Sequence, residues 1–530
     1  MSKKLEISIF VFFIISFGIL AVFLGQDLSW DLLDYHFYNG YAFAKSRYLH
    51  DMAPAMAQSY INPFFDLANY YILSSQNALL AIFILGTITG VTAFILFKIT
   101  EIIFAEIQPN KQKYFYILCT LLIGSTGVAT ISTIGMTSND NKIGLLVLLT
   151  VFFQIKSLIS EEKKIFWQIA SGLMIGLVTG FKLVAGCYAI GLALALFFYK
   201  PLEKENFKLC LIFGFSTILG FILANGYWMY FLNKNFNSPL FPYFNSFFKS
   251  PFIGYTDFKD SGWNMSDSLF FLPFTYLKLP IGYAHQYMVD ARFAIISTLL
   301  IFLAITSLLR YSKHRADSIE RFLILFFIFS YITWALTFRI NRFLVPLEFL
   351  SGLMIIFLIR KLFSEKIIQN IFIAIITIYL LNNSIFSAVE KYPIQLTKEN
   401  LQKKYFTISE LPELPDNSII FLHAPVAYLI PYFPESIKFI GAPFVLSSGG
   451  FSKEDYFRPI LYQQASQILL NPNSPNYILF CKSKYEKFMS DAFAEFKISK
   501  KNKCQEFQAM KNIHCSDGVM QICPVKAKIK

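Results

Sequence analysis

The sequence predicts an all-α polytopic membrane protein of about eleven transmembrane helices, with an extracytoplasmic α/β domain at its C-terminus. Three observations carry this expectation. The 530 residues are 55% hydrophobic, with 60 Phe, 29 Tyr and a mean hydropathy of +0.50, far too apolar for a soluble chain of this length. Eleven apolar runs of roughly spanning length succeed one another up to residue 386. Beyond them the pattern changes to short strand-like stretches interleaved with helical spacing.

The runs are 7–24, 78–103, 115–131, 143–159, 166–179, 183–199, 209–231, 293–309, 322–336, 343–359 and 367–386, the fifth and sixth being short. Lys3 and Lys4 precede the first, but no small-x-small cleavage site stands before Gln26, so it reads as a retained helix and not a signal peptide. The formal charge of +13 is distributed by topology. Lys111 and Lys113, Lys163 and Lys164, Lys200, Lys204 and Lys208, Arg310, Lys313 and Arg315, and Arg360, Lys361 and Lys366 join Lys3 and Lys4 in alternate connections. By the positive-inside rule these face the cytoplasm, so the N-terminus is inside and everything after residue 386 is outside a multi-pass inner (cell) membrane protein. The basic balance is a topology signal and implies no nucleic-acid partner. The expected domains are residues 1–386, a transmembrane catalytic domain with interfacial helices in the first outer loop (26–76) and a long outer loop (232–292), and residues 387–530, the α/β domain.

In that tail, "SIIFLHA", "IKFIG", "YILFCK" and "VMQICPV" read as buried strands, and "KEDYFRPILYQQASQILL" and "KYEKFMSDAFAEF" as helices. It carries no catalytic motif. Cys119, Cys187 and Cys210 lie in apolar runs and read as core residues, whereas Cys481, Cys504, Cys515 and Cys523 crowd into the tail. In an oxidising compartment four cysteines predict two disulfides, with three pairings open; no C-x-x-C spacing supports zinc.

The candidate chemistry lies in the loops. After the first run comes "GQDLSWDLLDYHFYNGYAFAKSRY", where a helix over 28–48 would stack Asp27, Asp31, Asp34 and Tyr38 along one stripe. Trp30, Tyr35, Phe37, Tyr38, Tyr41 and Phe43 would shield those carboxylates from water, and a shielded carboxylate is a plausible base. Nearby stand His36, Asn62 and Asp66. Other outer loops contribute Asp140 before the fourth run, Lys182 between the fifth and sixth, and Arg292, Arg339 and Arg342. Single ionisable groups at span ends often only snorkel, and acids on an isolated helix are often a solvated face. Acids in two loops and bases in three others, on one side, could instead hold an acceptor hydroxyl beside a phosphate.

In the order of its parts, over roughly residues 1–360, the chain resembles the GT-C superfamily of polytopic membrane glycosyltransferases. The likeness is strongest to bacterial members with a "WD…YHFYNGYAF…D…PA…QSYINPFFD" first loop and a "NSPLFPYFNSFFKSP" loop after the seventh span, here at residues 30–66 and 237–251. The resemblance implies a GT-C-like fold and transfer of a hexosyl or pentosyl group, with inversion, from a polyprenyl-phosphate sugar to an extracytoplasmic glycan, lipid or protein. Asp31 matches the first-loop acid, the implied base, with Asp34 its alternative. Asp140 matches the second-loop acid, which orients the acceptor or shares a divalent cation, Mg or Mn, with Asp31. The family often has adjacent acids, whereas two residues separate Asp31 from Asp34, so the choice between them and the metal dependence stay open. His36, Asn62, Asp66 and Arg292 are further substrate-binding candidates.

The residues support such chemistry without the name. A lipid-phosphate donor needs no nucleotide site, and there is no Walker A or Rossmann glycine pattern. Lys182, Arg339 and Arg342 suit a phosphate leaving group, since Arg grips phosphate in a fork. The alternatives are a secondary transporter or lipid flippase, which mid-span charges or two similar halves would favour, and a non-catalytic envelope assembly protein.

Overall fold

The structure, a computed structural model, describes residues 2–107, 110–200, 203–255, 257, 272–275, 277, 290–309, 318–385, 403–423, 425–447, 459–471, 473, 475–484, 497–500, 504–512 and 514–528. Each of the eleven apolar runs folds as a helix: α1 Lys3–Leu24, α2 Ala78–Ile103, α3 Asn110–Ser125, α4 Asp140–Ile159, α5 Lys164–Phe181, α6 Gly186–Tyr199, α7 Lys204–Phe236, α8 Arg292–Leu309, α9 Ser318–Thr337, α10 Val345–Leu362 and α11 Lys366–Ile385. Among the described residues α1, α2, α4, α5, α7, α9 and α10 are long and apolar enough to cross a membrane, and α6, α8 and α11 are shorter apolar helices. The protein is an integral membrane protein.

The chain divides into two compact units. One comprises Met1–Leu24, Phe83–Asn225 and Asp260–Glu390; the other comprises Gly25–Ile82, Gly226–Lys259 and Lys391–Lys530.

Helix α10 is the axis of the first unit, buried at every residue from Val345 to Ile359. In lipid, where helices gain little by hiding apolar surface from one another, close backbone approach takes over. Gly172, Gly176 and Gly180, one turn apart on α5, lie against the α7 backbone at Phe213, Thr217 and Phe221, where any Cβ would collide. Gly144 on α4 is similarly placed against Val345. The third apolar run departs from expectation: α3 stops at Ser125, and a separate helix covers Val128–Thr133. Glu348 causes the break. Its carboxylate accepts the Ala129 and Thr130 N–H groups at 2.9 and 2.7 Å and the Thr130 hydroxyl at 2.8 Å, capping the new helix at its N-terminus.

The second unit holds a six-stranded sheet with β1 Ile419–Leu422, β2 Lys438–Gly441, β3 Asn476–Cys481, β4 Lys497–Lys500, β5 Gln505–Gln508 and β6 Val519–Lys528. The order is β2-β1-β3-β6-β4, with β5 also on β6; β1 runs parallel to β2 and β3, and β6 runs antiparallel to β3. The four strands read from the sequence are β1, β2, β3 and β6, and a helix at Ile460–Leu470 covers the end of the first helical stretch. The second, at 484–496, lies almost wholly outside the described residues. Disulfides join Cys481 to Cys515 and Cys504 to Cys523, which resolves the pairing; Cys119, Cys187 and Cys210 are free.

The first loop belongs to this same unit. Met52 adds to the sheet edge beside Ile440, donating its N–H to Phe439 O at 2.8 Å and accepting that of Gly441 at 2.9 Å. A buried ion pair fixes the join. Arg47 donates twice to Asp51 at 2.8 Å and on to the carbonyls of Glu435 and Ile437 at 2.9 and 2.7 Å, while Asp51 accepts the Phe439 N–H. The ring of Tyr60 packs on Phe236 and Phe241 at 4.9 and 4.8 Å, so the two loop motifs that suggested a family touch each other.

Candidate functional site

The predicted residues divide between the two units, and some of them converge within each. In the second unit the acidic stretch begins its helix at Trp30, later than expected, and passes through a π-helical turn, Leu32–His36, before the α-helix Phe37–Ala44. Asp27 therefore lies ahead of the helix, where its Oδ1 accepts the Ser29 N–H at 3.0 Å, and it is no member of a stripe. A π-turn widens the helix by one residue and is a frequent feature of functional sites. It carries Asp34 and His36.

These acids are not a solvated face: Asp31 is 7% exposed and Asp34 0%. Among the described residues neither carboxylate oxygen of Asp34 meets a partner in good hydrogen-bond geometry, the Trp30 side chain being the one donor near it. Burial first, and then the nearby charge of Asp31, push the Asp34 carboxyl well above the usual carboxylate range, a rise that the Trp30 side chain partly offsets. His36 Nδ1 lies 2.6 Å from Asp66 Oδ1, and both side chains are buried. Asp66 sits on the helix Phe64–Ser75, whose start is held by Asn62 Oδ1 accepting the Phe64 N–H at 3.1 Å. The helices 37–44 and 64–75 can approach this closely because residue 40 is glycine; a Cβ there would strike the Asp66 carbonyl.

In the first unit three candidates converge. Asn139 adopts a left-handed conformation, φ 68°, which turns the chain so that Asp140 opens α4, where the helix dipole favours an acid. Lys182 follows the last residue of α5, the end that favours a cation, and donates to Asp140 Oδ1 at 3.1 Å and Ser138 O at 2.8 Å. Arg342 lies on the 3-10 turn Asn341–Leu344 that leads into α10, with its Nε 3.7 Å from Asp140 Oδ2. Lys182 and Arg342 both lie over the Phe343 ring, at 5.2 and 5.6 Å. The acid is 1% exposed. Two cations on one buried carboxylate leave net positive charge at the ends of three helices, a setting suited to an oxyanion.

No family model and no curated protein matches the chain. Among solved structures, ArnT from Cupriavidus metallidurans, bound to undecaprenyl phosphate, is similar over 98% of this chain and 98% of its own, with a TM-score of 0.54 at 11% identity. The chain has the GT-C fold.

Within that GT-C fold the remaining candidates hold helix ends. Arg292 donates to Asp290 at 2.9 Å, to Ile123 O at 3.1 Å and to Thr126 O at 2.7 Å, across the C-terminal end of α3. Arg339, at φ 53°, returns its Nε to Ala335 O at 2.6 Å in the last turn of α9. Both guanidiniums meet terminal carbonyls that have no partner within their own helix. The sequence reading passed over Glu348, the Arg47–Asp51 pair, Asn141 and Asn341. The i, i+4 spacing of Arg47 and Asp51 and the position of Glu348 beside Pro346 at the head of an apolar run were the available signals. Among the described residues the one close group of metal-ligating type is Cys481, Cys515 and Asp517, and its sulfurs are joined in a disulfide.

Proposed function

We propose that the protein is a glycosyltransferase of the inner membrane that moves a hexosyl or pentosyl group from a polyprenyl-phosphate donor to an extracytoplasmic envelope glycan, lipid or protein. The observation that supports this best is the buried Asp140 paired with Lys182 and Arg342, in a fold shared with a solved structure that carries undecaprenyl phosphate. Lys182 and Arg342 take the donor phosphate, and Asp140 holds the two cations in place between turnovers. Asp31 accepts the proton of the acceptor hydroxyl as its oxygen attacks the anomeric carbon and the carrier phosphate leaves. A single displacement inverts the anomeric centre.

Asp31 raises the proton affinity of Asp34 by its proximity. The His36–Asp66 pair ties the acidic turn to the helix Phe64–Ser75. A divalent cation, Mg or Mn, would find hard oxygens at Asp34, with Asp31 close enough to interact with it, whereas the charge of Asp140 is already met by Lys182 and Arg342. Bound there, it would supply charge stabilisation to an oxyanion.

The test is a transfer assay in membranes with a panel of polyprenyl-phosphate sugars. Transfer from at least one donor, lost in Asp31→Asn at unchanged expression, is expected. No transfer from any donor and no binding of undecaprenyl phosphate would overturn the reading.

A further inference from the structure

Beside the Asp140 cluster lie polar side chains that nothing among the described residues satisfies. Asn141 is 7% exposed, and both its amide oxygen and its amide nitrogen lack a hydrogen-bond partner. Asn341, also 7% exposed, leaves its Oδ1 unpartnered, and Ser138, 1% exposed, leaves its hydroxyl so. Burying an amide without compensation costs stability, and proteins rarely do it twice in one place without a reason.

Their placement follows from packing. Helices α4 and α10 touch where Gly144 meets Val345. Asn141 is three residues before Gly144 on the same face of α4, and Asn341 opens the 3-10 turn that leads into Val345, so both stand at the end of the helices where that contact is made. At that end Asp140 and Arg342, the immediate neighbours of the two asparagines, face each other. Ser138 is tied to the same point, since its carbonyl accepts the Lys182 ammonium.

We infer that Asn141 and Asn341, with Ser138, are sugar-recognition residues, and that they select a neutral, hydroxyl-bearing sugar on the donor. The inference rests on the glycosyltransferase reading and deepens it. The charged members of the cluster suit the phosphate. A sugar hydroxyl both donates and accepts, and an amide offers both complements, whereas a bare phosphate monoester would leave the amide oxygens facing negative charge. The buried amides thus discriminate the loaded carrier from the empty one, which favours departure of the carrier after transfer.

The test compares binding of undecaprenyl phosphate with that of undecaprenyl phosphates bearing glucose, arabinose or N-acetylglucosamine, using the full chain in nanodiscs. Wild type should bind at least one loaded carrier more tightly than the empty one. Asn141→Leu and Asn341→Leu should each reduce that gain about tenfold, the worth of one ordinary to strong hydrogen bond, with empty-carrier binding unchanged. Their melting temperatures without ligand should be equal to or above wild type, because each replaces an unsatisfied amide by an apolar group of similar size. A lowered melting temperature, or loss of empty-carrier binding in step with the loaded one, would show a structural role and overturn the inference. So would a gain that survives both substitutions, or a wild type that binds the empty carrier and gains from no sugar. A wild type that binds neither form overturns the glycosyltransferase reading itself.

Discussion

Asp34 carries a full residue's worth of tension between stability and chemistry. Its folded-state proton affinity is raised by burial and by Asp31, above the roughly 3.9 of an unfolded aspartate. Between those two values the folded protein binds more protons than the unfolded one, so its contribution to stability is present at low pH and is lost as pH rises through the folded value. Asn cannot titrate and keeps the shape. Asp34→Asn should therefore stabilise the protein by about 1–3 kcal/mol at pH 8, with the gain shrinking towards pH 4 in melting curves taken across that range. Activity should separate the two acids. Asp31→Asn should lower transfer by roughly 10²–10⁴-fold, whereas Asp34→Asn should lower it less. A larger loss in Asp34→Asn than in Asp31→Asn would assign the base to Asp34. The sequence displayed these acids and the aromatic residues that bury them. It did not display the π-turn, because nothing in the local pattern of "WDLLDYHFYNG" distinguishes five residues of π-helix from α-helix.

Helix existence was legible wherever an apolar run stood alone, as in α1, α2 and α7, because the bilayer dictates its length. Helix ends were less so. The break after Ser125 depends on Glu348, 218 residues beyond the Thr130 it caps, and no local signal reports such a partner. The same distance effect hides the work of two arginines. Arg292 and Arg339 looked like Arg342 in sequence, yet they meet carbonyls at the ends of α3 and α9. Charge removal should therefore sort these residues by element. Lys182→Met and Arg342→Met should weaken undecaprenyl phosphate binding by about ten- to a hundredfold, the value of a charged hydrogen bond of roughly 1.5–3 kcal/mol, in a protein that remains folded. Arg292→Met should instead lower the melting temperature, and what carrier binding the folded fraction retains should match wild type. The small-residue seam has its own check. Gly176→Leu must push α5 off the α7 backbone at Thr217 and should sharply reduce the yield of folded protein in detergent, while Gly214→Leu, where nothing lies within 4 Å of a new Cβ, should not.

At the scale of the whole molecule, the orientation in the membrane can be argued without counting charges. Met52 is hydrogen-bonded into the edge of the tail's sheet, and Ala78 N–H reaches Lys403 O at 3.1 Å at the start of α2. The first loop and the tail therefore lie on one side of the membrane. Ten of the eleven apolar helices separate them, an even number, so this common side follows if every one crosses. The tail holds two disulfides, Cys481–Cys515 and Cys504–Cys523, which persist outside the cytoplasm and are rare within it. A tail outside would put the first loop outside too, and since α1 alone stands between that loop and the N-terminus, a cytoplasmic N-terminus is the expectation that follows. The alternating Lys and Arg of the connections reach the same orientation from independent physics. A reporter active only in the cytoplasm, fused after Lys530, should stay dark, and one fused before Met1 should be bright. Thiol labelling of the denatured, unreduced protein should find Cys119, Cys187 and Cys210 and no others. Seven labelled thiols together with a bright C-terminal reporter would place the tail, the loop and the acids they carry in the cytoplasm, where an extracytoplasmic transfer could not take place.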